Sequence, residues 1–221
     1  KGVRVEEMTE PQKAAALELL KTGLSATGYK QATTIMSLES LLAELEGDKG
    51  ANARNPNWYF VSVFGEPSNT GAWGWRFEGH HLSVNVTLNK GEVVSATPVL
   101  FGANPAEVKD GPQKGLRTLP ETEDAAKALI ASLTPEQQKV ARQPKQLPEI
   151  NEGFAEAGVH NVYFASALEE DKPGKPYTYR VHGPTFVAEF LNVQADAAKN
   201  PANHIHSGWR RLPADFAVNK N

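Results

Sequence analysis

Apolar residues near the start of the chain recur at helical spacing. Ala16, Leu19, Leu20 and Leu24 follow Thr9-Glu10-Pro11-Gln12, where Thr is a good N-cap and Pro fits an early helical position, so a helix is predicted over about 10–23. Ser37 stands as a capping residue ahead of Leu38, Leu41, Leu42 and Leu45, which predicts a second helix ending at Gly47, followed by a polar loop over 48–57. From Trp58 the period drops from about 3.6 to 2, and Gly, Pro and Asn punctuate runs of aromatic and β-branched residues. Strands are predicted over 58–64, from Trp73 through Phe77 and His81 to Leu88, and over 92–98, with Asn89-Lys90-Gly91 as a hairpin signal. Residues 102–115 form a loop long enough to be functional.

Helical patterning returns over 121–133, where Ala125, Leu129 and Ile130 share a face, and Thr134-Pro135-Glu136-Gln137 starts a further helix that Pro144 and Pro148 interrupt. The last third reads as strands over 159–167, 177–182, 185–193 and 204–210. Helices, strands, helices and strands in that order, joined by hairpin-length connections, predict one α+β domain over 1–221. It would be a large, mostly antiparallel β-sheet with helices at the N-terminus and in the middle of the chain.

One strand carries a phase change. Trp73, Trp75 and Phe77 are odd-numbered, whereas Leu82, Val84 and Val86 are even. A switch of this kind is expected from one extra residue, and Gly79 is what a β-bulge would use. The bulge would place Arg76, Glu78, His81, Ser83 and Asn85 on one polar face and leave the tryptophan stripe in the core.

Composition narrows the chemistry. The 221 residues carry a net charge of −3 with no block of Lys or Arg, which argues against nucleic acid or an anionic membrane as a partner. No run approaches the roughly 18 apolar residues of a membrane helix, and the start lacks a signal-like stretch, so the chain reads as soluble and without membrane insertion. The absence of cysteine excludes disulfides, thiolate catalysis and thiolate-held clusters or haem. It is compatible with a periplasmic or secreted location without requiring one. A nucleophile elbow, a phosphate-binding loop and a dinucleotide fingerprint are all missing.

Four of the six histidines lie in two clusters, Gly79-His80-His81 and Asn203-His204-Ile205-His206. Alternate residues of a strand share a face, so His204 and His206 project together and can offer two nitrogens to one ion. Adjacent His80 and His81 cannot both do so. On the bulge reading His81 is the better ligand and His80 a neighbouring group, giving His81, His204, His206 and His80 as metal-site candidates. His160 and His182 are isolated and read as structural. Glu189 lies among Phe186, Val187, Ala188, Phe190 and Leu191, where a carboxylate needs a partner. It is a candidate ligand or general base, or the partner of Arg76, Arg180 or Arg210.

Several blocks resemble a bacterial family known as DUF3500, a domain of unknown function. They are Tyr29-Lys-Gln-Ala-Thr-Thr-Ile-Met36, Trp73-Gly-Trp-Arg-Phe-Glu-Gly-His-His-Leu-Ser83 with Asn85, Phe101-Gly-Ala-Asn-Pro105, Arg180-Val-His-Gly-Pro184, and Asn203-His-Ile-His206 with Trp209 and Arg210. The resemblance runs nearly end to end and implies no activity. It implies a segment ahead of Lys1 and a longer helical insertion near 141–143, so this is either a short member or a chain that lacks those pieces.

Three functions follow as expectations. The first is a metal-binding protein, and in its stronger form a metal-dependent enzyme, that holds zinc, copper or iron rather than a hard ion such as calcium. The second is a metal-free hydrolase or lyase in which His81 or His206 pairs with Glu189 or Glu78, while Arg76 or Arg210 binds an anionic small-molecule substrate. The third is a small-molecule binding module with a tryptophan-lined pocket.

Overall fold

The computed structural model describes residues 2–143, 163–168, 174–212 and 215. The chain groups into two compact units, 1–102 and 103–221.

In the first unit, α1 (Glu10–Thr22) begins where the sequence indicates. Thr9 has an extended backbone, its amide donates to Gln12 Oε1 at 2.9 Å, and Pro11 follows at the first turn. The next helix differs from expectation. α2 runs over Ala26–Glu46, capped by Ser25, whose Oγ accepts from the Gly28 amide at 3.1 Å. Ser37 is therefore inside α2, and its hydroxyl donates to the Thr34 carbonyl, as Thr33 and Thr34 donate to Lys30. Ser and Thr tolerate a helix interior when their hydroxyls bond back to the preceding turn. A continuous stripe of Ala32, Ile35, Leu38 and Leu42 is buried and outweighs their weak propensity. A short helix, α3 (Asp48–Ala51), occupies the start of the predicted loop.

The strands of this unit are β1 (Val3–Arg4), β2 (Phe60–Phe64), β3 (Ala72–Gly79), β4 (Leu82–Asn89), β5 (Glu92–Ser95) and β6 (Val99–Ala103). They are antiparallel in the order β1-β2-β3-β4-β6, and β5 also pairs with β4. The turn between β4 and β5 is the predicted one, with Lys90 at φ 53° and Gly91 at φ 80°.

The bulge at Gly79 is a correction. β3 and β4 are two strands of a hairpin whose two-residue turn is His80-His81, with Gly79 opposite Leu82, Phe77 opposite Val84, Trp75 opposite Val86 and Trp73 opposite Leu88. In such a hairpin odd positions face even ones, so it produces the same switch of parity as one inserted residue. Trp75, Phe77, Leu82, Val84 and Val86 pack with Leu20, Ala32, Ile35 and Tyr59 in the core, which confirms the tryptophan stripe as interior.

In the second unit α4 (Pro120–Ser132) and α5 (Pro135–Ala141) follow the prediction, the latter capped by Thr134 and Gln137. The strands are β7 (Arg142–Gln143), β8 (Tyr163–Leu168), β9 (Tyr177–His182), β10 (Phe186–Gln194) and β11 (His204–Arg211). Their order is β7-β8-β9-β10-β11, antiparallel except for β7 with β8. Tyr177, Tyr179, Phe190 and Ile205 are buried, and the three rings pack together with centroids 5.4 to 6.0 Å apart. The start of the predicted strand at 159–167, with His160, Pro144 and Pro148, lies outside the described residues. The fold class is α+β with mostly antiparallel pairing and helices at the N-terminus and mid-chain.

Candidate metal centre

β11 presents His204 and His206 together because Ile205, between them, is buried in the core. The two rings stand 4.8 Å apart between centroids. His206 lies opposite Leu191 and His204 opposite Gln194, with an irregularity in β10 between Asn192 and Gln194. Asn192 Oδ1 accepts from the His204 amide at 3.2 Å.

The entry to β11 is held by Asn203, whose buried side chain substitutes for a piece of main chain. Its Oδ1 accepts from the Glu107 amide at 2.9 Å, and its Nδ2 donates to the Glu107 carbonyl at 2.8 Å and to Asp196 Oδ2 at 2.6 Å. Asp196 is buried as well, and also accepts from the amide and side chain of Asn200. Asn104 Oδ1 accepts from the Ala197 amide at 3.0 Å. The sequence reading gave no role to Asn104, Asp196 or Asn203. They tie the loop over 196–203, which leads into the Asn-His-Ile-His block, to the segment over 104–107, and so satisfy buried backbone groups that would otherwise be stranded.

His81 sits in the β3–β4 turn at φ 61°, a left-handed conformation that His adopts more readily than most residues. Both carbonyls of the turn are tied: the Tyr59 hydroxyl donates to the His80 carbonyl at 2.9 Å, and the Gly102 amide to that of His81 at 2.7 Å. Gly79 is required because a Cβ there would stand 2.4 Å from the Tyr59 ring. Burial and the neighbouring Glu39 carboxylate push the Tyr59 phenol well above its ordinary range, so it stays a donor.

His80 is engaged elsewhere. Its Nδ1 lies 2.5 Å from Oε1 of Glu39 on α2, and Arg54 Nη1 stands against the ring, 3.3 Å from Nδ1 and 3.2 Å from Nε2. Arg54 is itself fixed by two 3.0 Å bonds to Glu46, a contact that raises the guanidinium and lowers the carboxyl from their ordinary values. The His80 and His81 rings stack at 3.8 Å and 27°. Glu39, only 3% exposed, escaped the sequence reading although it continues the stripe of Ile35, Leu38 and Leu42. A carboxylate on a buried helical stripe was the signal that could have found it.

Among the described residues His81, His204 and His206 form a group able to hold a metal ion, each offering one ring nitrogen, with these atoms all within 4.8 Å of one another. Of the other candidates, Glu189 pairs with Arg180, which lies opposite it on β9; Arg180 Nε donates to Glu189 Oε1 at 2.5 Å and a second guanidinium nitrogen reaches the same oxygen. Arg76 donates through Nε to Asn85 at 2.6 Å, faces Glu78 at 3.7 Å and lies over the Phe64 ring. Glu78 borders a cavity of about 400 Å³ with Arg4, Glu39, Asn55, Trp58 and His80. Arg210 stands opposite Val187, on the same side of β11 as His206. His182, opposite Val187 on β9, is buried; burial, aided by the charge of Arg180, holds its imidazole below the ordinary value.

A family model described as protein of unknown function (DUF3500) matches residues 1–159 and 149–218. The chain belongs to the DUF3500 family. No curated protein and no solved structure matches this DUF3500 member, so no activity is carried over by similarity. Among the described residues no helix of the DUF3500 chain is long and apolar enough to cross a membrane.

Proposed function

We propose that the protein binds one divalent transition-metal ion through ring nitrogens of His81, His204 and His206, and uses it in catalysis. The observation that carries the reading is the grouping of three imidazole nitrogens within 4.8 Å of one another. Neutral imidazoles suit zinc, copper and non-haem iron, and a site without thiolates or several carboxylates is poorly suited to calcium. Structural zinc sites are closed by four protein ligands, whereas catalytic sites use three and keep a position for water or substrate; three are grouped among the described residues. An ion held this way supplies Lewis acidity and a water deprotonated near neutral pH.

The test uses untagged protein purified without added metal, analysed for metal content and then titrated with zinc or copper. Roughly one equivalent is expected, with a gain of about 2.7 kcal/mol at a hundredfold excess of free ion over Kd, equivalent to a rise in Tm of roughly 5 to 10 °C. His204→Asn and His206→Asn should each abolish tight binding. Less than about half an equivalent, with no stabilisation on metal addition, would exclude the reading.

A metal-free acid–base reading keeps one favouring observation. His80 and the buried Glu39 form a close pair at the edge of the 400 Å³ cavity, the arrangement of an oriented general base. Chelation separates the two: hydrolytic activity that survives EDTA and is lost in His80→Gln belongs to this pair.

A further inference from the structure

We propose that Glu39 is a positioning residue for the histidine site: through His80 it sets the orientation in which the His81 ring is presented. The proposal rests on the metal reading above.

Glu39 is a carboxylate, 3% exposed, within a helical stripe whose other members are apolar. Burying an ionised carboxylate costs several kcal/mol unless it is paired. Packing alone would be served better by Leu at this position. The partner that Glu39 meets is His80 Nδ1, at 2.5 Å. Arg54 Nη1 also stands against the His80 ring, 3.3 Å from Nδ1 and 3.2 Å from Nε2, and Arg54 is in turn clamped by Glu46. An imidazole bonded to a buried carboxylate and flanked by a fixed guanidinium cannot rotate freely, and it stacks on His81 with centroids 3.8 Å apart.

The main chain of the turn is pinned independently, by Tyr59 at the His80 carbonyl and by Gly102 at the His81 carbonyl. With the backbone tied at both residues and His81 already in a left-handed conformation, the freedom left to His81 is that of its side-chain torsions. The stacked His80 ring restricts those. The sequence Glu39 to His80 to His81 thus resembles the carboxylate support that orients metal-ligating histidines, with one stacked ring interposed. Local geometry explains why two adjacent histidines occupy one turn: one is presented and the other supports it.

The experiment compares Glu39→Leu, Glu39→Gln and the parent chain. The probe is copper(II), with affinity read by competition titration and ligand geometry by electron paramagnetic resonance. Glu39→Leu keeps the apolar stripe but gives His80 no acceptor; a roughly tenfold loss of affinity, at the lower end of the effect of outer support, and a changed spectrum are expected. Glu39→Gln retains an acceptor oxygen and should restore most of both. His80→Gln, which removes the stacked ring without touching α2, should reproduce the Glu39→Leu spectrum and keeps the test open if Glu39→Leu does not fold. Parent-like affinity and spectrum in folded Glu39→Leu or in His80→Gln would overturn the proposal while leaving the metal reading intact. If the parent takes up no copper, or His81→Asn binds as the parent does, the His81 site itself is wrong and the proposal falls with it.

Discussion

Glu189→Gln is the sharpest test of how β9, β10 and β11 are held. Glu189 and Arg180 are cross-strand neighbours whose side chains are 10% and 9% exposed, so solvent screens the pair little. The substitution keeps shape and one acceptor but removes the negative charge that faces the guanidinium. Breaking a buried pair from one side costs about 3 to 5 kcal/mol, because the remaining ion stays desolvated. At about 2 to 4 °C per kcal/mol for a chain of this size, Tm should fall by roughly 10 °C. Urea unfolding followed by circular dichroism, with the midpoint converted through the slope, measures the same quantity. Replacing both members together, Arg180→Met with Glu189→Leu, should recover most of the loss, since apolar replacement of a buried pair is often neutral or better. Parent-like stability in Glu189→Gln would refute the argument. A tenfold or greater drop in metal affinity at unchanged stability would instead assign Glu189 to the histidine site.

Two further outcomes follow from local geometry. Gly79→Ala puts a methyl 2.4 Å from the ring of Tyr59, which is fully buried and hydrogen-bonded through its hydroxyl; overpacking of this kind should cost about 1 to 3 kcal/mol, and a urea midpoint equal to the parent's would contradict the fit. His182 has a folded pKa below its unfolded value of 6.5, so the unfolded chain binds more protons in the window between them. Stability should therefore decline as pH falls below 6.5 and level off beneath the folded pKa; His182→Phe should flatten that part of the pH–stability curve, and an unchanged slope would show that His182 does not titrate differently on folding.

Much of the architecture was legible because local rules agreed with tertiary packing. Thr9 and Thr134 sit at helix starts with glutamine three residues on, and both form the reciprocal cap. The Lys90-Gly91 turn has both residues at positive φ. The start of α2 was not legible for a physical reason: Ser25 and Ser37 carry the same capping chemistry, and the choice between them rests on how far the buried stripe extends, which tertiary packing decides. The His80-His81 turn was misread because parity cannot separate a bulge from a two-residue reversal. The polar face survived the error. Arg76 faces Asn85 and Glu78 faces Ser83 in the hairpin, as an extra residue in one strand would also have aligned them.

Glu189 and Glu39 differ in how their partners are reached along the chain. Glu189 was flagged by its apolar surroundings, and its partner was within reach: Arg180 is nine residues away, across a hairpin whose midpoint falls between Pro184 and Thr185, where register alone brings 180 opposite 189. Glu39 obeys the same rule on a helical stripe, yet its partner His80 is 41 residues away on a different element. No periodicity links an α2 position to a β3–β4 turn; that pairing comes from helix-on-sheet packing in the first unit, which buries Ile35, Tyr59 and Phe77 together. A buried carboxylate can thus be recognised from sequence as needing a counterpart, whereas the counterpart is recognisable only when a turn's arithmetic supplies it. For Glu39 the missing link is also what gives it a functional consequence. A carboxylate paired within its own hairpin stabilises that hairpin, but one that reaches from a helix to a histidine stacked on a candidate ligand couples the core packing of α2 to the geometry of the site.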